Sequence, residues 1–145
     1  MSRDSRASPA PDAGQIVWCR FPELPGLKPG RKPRPALVLR VFDDDAPVFR
    51  VLVAYGTSQR VGKLYTGEFR LTPEDGEAFT LAGLSVPTKF DLANHVELPY
   101  TDDWFAPPPG APHGQIPKLG SLHAKVYRRV ESAWKAVATL QPGGG

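Results

Sequence analysis

The chain has 145 residues, 41% of them apolar, enough to close one modest core and too few for two. Its 18 Lys and Arg against 15 Asp and Glu leave a net charge of +3, which suits a polyanionic partner without approaching the charge of a histone-like binder. One cysteine, Cys19, excludes an intramolecular disulfide framework. With no apolar signal segment and no run near the ~18 apolar residues of a membrane span, the composition points to a cytoplasmic protein that does not engage a membrane.

Residues Met1–Ala13 mix Ser, Pro, Ala and scattered charges, a composition that buries too little surface to offset ordering entropy, and they read as a disordered leader. A single domain follows over 14–141. Ile16, Trp18 and Phe21 bring roughly alternating β-formers before the Pro- and Gly-rich stretch Pro22–Pro33 interrupts them. The runs Pro35–Val41 and Val48–Ala54, separated by a turn holding Asp43, Asp44, Asp45 and Pro47, predict a hairpin at the centre of a sheet. Shorter strands are predicted at Glu68–Leu71, Ser85–Phe90 and His95–Leu98, with turn signals Pro73, Asp75, Gly76 and Gly83 between them. After a connector over Ala106–Gly120, the spacing of Leu122, Val126, Val130, Ala133, Trp134 and Val137 predicts an amphipathic helix over 121–140, with Ser121 as its N-cap. The fold class is mainly β, a small barrel with a C-terminal helix.

A hairpin of the second and third strands carries Arg34 at the start of one and Thr57 at the end of the other, so both arrive at the same end of the sheet. Read without further context, Arg34 is equally an exposed strand-edge residue, and Thr57, Ser58 and Gln59 an ordinary polar turn.

In order and spacing, Gly14-Gln15-Ile16-Val17-Trp18, Arg34-Pro35-Ala36-Leu37-Val38-Leu39 and Thr57-Ser58-Gln59 resemble the PemK/MazF toxins of type II toxin-antitoxin systems. The resemblance covers roughly Gly14 to Leu98. It implies an SH3-like barrel, a symmetric homodimer, and a cofactor-free endoribonuclease that cuts single-stranded RNA by attack of the ribose 2′-hydroxyl, without metal. It further implies an antitoxin protein whose acidic, disordered tail folds onto the RNA groove. By the same carry-over Arg34 and Thr57 are catalytic: a guanidinium meets the crowded phosphorane oxygens and a hydroxyl orients the phosphate or relays a proton. Ser58 and Gln59 contact RNA or hold Thr57.

Two positions depart from that pattern. Many members carry an acidic residue where this chain has Arg20, between Cys19 and Phe21, so Arg20 becomes an added phosphate contact. In the first loop Gly26 is followed by Leu27, Lys28 and Pro29 instead of a Gly-x-Glu pair. Arg31, Lys32, Arg60, Lys63 and Arg70 are candidates to track an RNA backbone, with Tyr55, Tyr65 or Phe69 available to stack on bases. His95 is an alternative general base. His113, His123 and the Asp43–Asp45 turn lack the spacing of a metal site. Trp104 and Phe105 are expected to cap the barrel end. The competing readings are a non-catalytic SH3-like module binding RNA or protein, and a DNA-associated, gyrase-directed toxin.

Overall fold

A computed structural model of the chain describes residues 10–23 and 28–140. Most of the expected leader, and the Gly26-Leu27 pair of the first loop, lie outside the described residues. Six strands form one antiparallel sheet in the order β4-β5-β3-β2-β1-β6: β1 (Gln15–Cys19), β2 (Arg34–Phe42), β3 (Arg50–Thr57), β4 (Glu68–Leu71), β5 (Thr88–Pro99) and β6 (Lys118–Ser121). The sheet curls into a half-barrel and carries a short helix α1 (Glu77–Leu81) and a C-terminal helix α2 (Tyr127–Leu140). No helix among the described residues is long and apolar enough to cross a membrane.

Both faces of the central strands are covered, which is why β2 and β3 read as nearly continuous apolar runs. Ile16, Leu37, Ala54, Phe69, Phe90 and Leu92 point to one side, where Val126, Ala133 and Val137 pack on them. Val17, Cys19, Ala36, Val38, Val53 and Leu98 point to the other, beneath Tyr100 and Phe105. Each large side chain buried this way contributes about 1.5–3 kcal/mol. The Phe69 and Phe90 rings stack at 5.5 Å, and the Tyr100 and Phe105 rings meet at 4.8 Å. Phe105 is bridged to Cys19, so the Trp104–Phe105 pair closes one end of the second core as expected. Burial pushes the Cys19 thiol pKa well above its ordinary value, leaving it unreactive.

Four elements differ from the sequence prediction, one being α1, which falls where only turn signals are read. The strands expected at Ser85–Phe90 and His95–Leu98 are one strand, because β5 runs through the polar interval on a bulge: Tyr55 pairs with Asp91 and Ala54 with His95. The Asp91 carboxylate accepts from the Ala93 N–H at 3.0 Å within that bulge. The connector hides β6, which pairs with β1. A Cβ on Gly120 would stand 2.2 Å from the Leu81 carbonyl, so glycine lets this strand lie against α1. The helix consequently starts at Tyr127, not Ser121. A 3₁₀ turn (Ala124–Val126) precedes it, capped by His123, whose Nδ1 accepts from the Lys125 N–H. Trp134 leaves the predicted apolar stripe: it is 43% exposed, with its ring 5.5 Å from that of His95.

The helix is tied to the β4–α1 connection by charge as well as by packing. Asp75 accepts the Thr72 N–H at 2.9 Å, closing a capping box, and its other oxygen accepts from Arg129 at 2.7 Å. Arg129 also donates to the Arg70 carbonyl at 3.0 Å. The Arg129 hydrogen bond, followed by that of the Thr72 N–H, outweighs desolvation and holds the Asp75 carboxyl below its ordinary 3.8. This contribution is complete above the ordinary carboxylate value and is lost as pH falls through the lowered folded value. Asp75→Asn is therefore expected to cost about 1–2 kcal/mol at neutral pH. Urea titrations should show that gap narrowing as pH falls below the ordinary carboxylate range, and an unchanged gap would remove the carboxylate from the account.

Candidate functional site

The β2–β3 ladder ends at Ala36 and Tyr55; continued two residues past that end, its register sets Arg34 across from Thr57. On the outer sides of that pair, Arg34 faces Cys19 of β1, Thr57 faces Lys89 of β5, and Lys89 faces Arg70 of β4. Directly opposed residues share a sheet face, so one transverse row carries a guanidinium, a hydroxyl, an ammonium and a second guanidinium. A Cβ on Gly56 would stand 2.4 Å from the Pro35 carbonyl and 2.8 Å from the Phe90 ring. Only glycine allows β2 and β3 to close at the point where the row begins.

Arg34 and Thr57 both line a cavity of about 450 Å³, within the range of small-ligand sites. Trp18, Pro35, Leu84, Val86, Pro109 and Pro112 supply its apolar walls, and Ser58, Ser85 and Thr88 add hydroxyls. The connector is held across it at both ends by one residue: the Trp18 N–H donates to the Pro117 carbonyl at 2.8 Å, and the Trp18 carbonyl accepts from the Ala106 N–H at 3.2 Å.

Arg34 is half-buried, lines the cavity, and makes no hydrogen bond or ion pair among the described residues. Thr57 Oγ1 accepts from the Gln59 N–H at 3.1 Å. Accepting this bond leaves the hydroxyl hydrogen free to donate to another group. Such an arrangement meets negative oxygens with fixed donors.

The remaining candidates divide. Ser58, Gln59, Arg60 and Lys63 are exposed on the segment that follows Thr57, and Ser58 reaches the cavity. Lys32 lines the cavity too, whereas Arg70 donates to the Val61 carbonyl at 3.2 Å. Arg20 follows the β1 residue that pairs with Arg34, but its guanidinium turns to the Asp102 carbonyl at 3.4 Å and lines no part of the cavity. Of the three aromatics, Tyr65 is 50% exposed; Phe69 is core, and Tyr55 is half-buried with its ring 5.2 Å from that of Phe21. The His95 ring lies 2.7 Å from the Leu92 carbonyl and beside Trp134, away from the cavity. No group of three or more His, Cys, Asp or Glu side chains among the described residues is arranged to hold a metal.

Neither a family model nor a curated protein matches the chain.

Sequence reasoning missed Lys89 and the far walls of the cavity. Lys89 had a legible signal, since a lysine between Thr88 and Phe90 in an apolar strand requires a buried partner. Leu84, Val86, Pro109 and Pro112 arrive from distant loops, and nothing local marks them.

Gly56→Ala tests the close approach. It is expected to cost about 1–3 kcal/mol through overpacking against the Pro35 carbonyl and the Phe90 ring, read as a lowered melting temperature. A wild-type melting curve would mean that the strands part there without penalty.

Proposed function

We propose that this protein is a PemK/MazF-like toxin endoribonuclease built on an SH3-like barrel, and that it cuts single-stranded RNA at the cavity between β2, β3 and the connector. One observation carries the reading: a guanidinium without a protein partner among the described residues and a threonine hydroxyl, from antiparallel neighbours, border the same cavity.

In the proposed reaction the ribose 2′-oxygen attacks its own phosphorus as the 2′-hydroxyl gives up its proton. The bond from phosphorus to the 5′-oxygen breaks, and that oxygen takes a proton as it leaves. The products are a 2′,3′-cyclic phosphate and a 5′-hydroxyl. Negative charge gathers on the non-bridging oxygens in the transition state. Arg34 offers planar paired N–H groups to them, and Thr57 donates one further hydrogen bond. Because the guanidinium stays charged throughout, the reading assigns charge stabilisation to protein groups and asks for no metal. A homodimer would extend the groove across two copies, and an acidic antitoxin tail would compete for its cations.

Arg20 favours a second reading. It occupies the place of an acidic residue in the toxin pattern and is turned to a backbone carbonyl, which suits a module that binds RNA and has lost cleavage.

The test is incubation of the purified protein with long single-stranded RNA in excess chelator, with the ends mapped. Cleavage leaving cyclic phosphate is expected. Arg34→Ala should lower the rate by about 10²–10³-fold, and Arg34→Lys should recover only part because the planar fork is lost. Thr57→Ala should fall similarly, with Thr57→Ser restoring activity. Binding without cleavage would establish the second reading, inhibition of gyrase without either would establish the third, and undiminished cleavage by folded Arg34→Ala would remove it from catalysis.

A further inference from the structure

Lys89 is only 5% exposed, and its partner Glu68 has a side chain 9% exposed. The Lys89 ammonium donates to Glu68 Oε1 at 3.0 Å and to the Lys63 carbonyl at 3.0 Å, and it lies 5.1 Å from the centre of the Tyr65 ring. Its three hydrogens are thus directed to a carboxylate, a carbonyl and an aromatic face. Glu68 Oε1 also accepts the Tyr65 N–H at 2.7 Å. With Arg70 donating to the Val61 carbonyl, three side chains of β4 and β5 hold three alternate residues of the segment between Thr57 and β4.

That segment carries Ser58, Gln59, Arg60 and Lys63, and Lys89 stands directly beside Thr57 in the β3–β5 register. Burying two ions costs several kcal/mol each, and a well-packed apolar pair would hold the strands at least as well. What the ion pair adds is direction: it fixes a carbonyl and a ring at set distances from the strand that bears the hydroxyl. Asp91 lies across from Glu68 in the β4–β5 register, and its carboxyl is raised first by burial and then by the Glu68 charge. Without Lys89, two carboxylates would face each other with no cation between the strands.

We infer that the buried Lys89–Glu68 pair is a positioning device, setting the segment from Ser58 to Gly67 against Thr57 so that its polar and basic side chains meet the substrate strand. The functional half of this inference rests on the nuclease reading; the structural half does not. Lys89 touches no substrate.

Lys89→Met alone strands a buried carboxylate and risks unfolding, so the decisive variant is Lys89→Met/Glu68→Leu, which keeps volume and removes both ions. It should melt within about 4 °C of wild type. Amide exchange at Lys63 and Tyr65, followed without RNA, should speed up by about tenfold or more. With RNA, KM should rise about tenfold while kcat changes far less than in Arg34→Ala, and binding of a 2′-O-methyl oligonucleotide should weaken in parallel. Unchanged amide exchange would overturn the inference, and so would faster exchange with wild-type KM and binding. Absence of RNA cleavage by the wild-type protein would sink the nuclease reading alone, leaving the exchange measurement to decide the role of Lys89.

Discussion

At one point in the sheet the backbone of β2 comes closer to β3 than any side chain would permit, and the site depends on that contact. The Pro35 carbonyl and the Phe90 ring occupy the space where position 56 would carry a Cβ. Because Gly56 yields that space, the strands stay close just beyond their last pair, Ala36 and Tyr55, and the two residues that flank the contact, Arg34 and Thr57, are brought to one cavity. The proline contributes from the other side. Its ring fixes φ and it has no N–H to satisfy, so the start of β2 is stiff where the guanidinium leaves it.

Rigidity at the strand ends is matched by a cavity wall that is largely fixed in advance. The connector leaves β5 and returns to β6 through two hydrogen bonds to the same residue, Trp18. Its prolines have little backbone entropy to lose, so a ligand entering beside Pro109 and Pro112 meets a surface that is already ordered. The opposite wall follows α1, whose end is held against Gly120. Four separate stretches of chain thus meet around Arg34 and Thr57, and each is anchored by backbone contacts outside the cavity itself.

The sequence made the order of the central strands legible because apolar runs and turn residues are local signals. The cluster at Glu68–Leu71 matched β4 residue for residue, and the turn signals around Asp43–Pro47 marked the central hairpin. The same local reading failed where long-range contacts override composition. Lys118–Ser121 has no strand signature of its own and becomes β6 because β1 offers it an edge and Gly120 lets it approach α1. The polar Asp91–Asn94 interval looked like a break because a bulge turns its side chains to local backbone partners. Arg34 and Thr57 were legible as a pair from topology alone, while Lys89 was missed although its place between Thr88 and Phe90 in an apolar strand marked it. Arg129, which reads as part of a solvated helix face, is committed to Asp75 and the Arg70 carbonyl.

The row Arg34, Thr57, Lys89, Arg70 explains how positive charge is divided on this face. Four cationic or donor groups in adjacent strands would repel or idle if all were left free. Lys89 and Arg70 are instead committed to carbonyls of the segment after Thr57, with Glu68 neutralising Lys89 within the protein. Arg34 alone in the row is a cation without a protein partner among the described residues. Within the row its charge is therefore the one a bound anion would meet uncompensated, beside Thr57 and with Lys32 also lining the cavity. Committing the neighbouring cations to protein partners leaves positive charge at the cavity mouth, a localisation that a net charge of only +3 does not preclude.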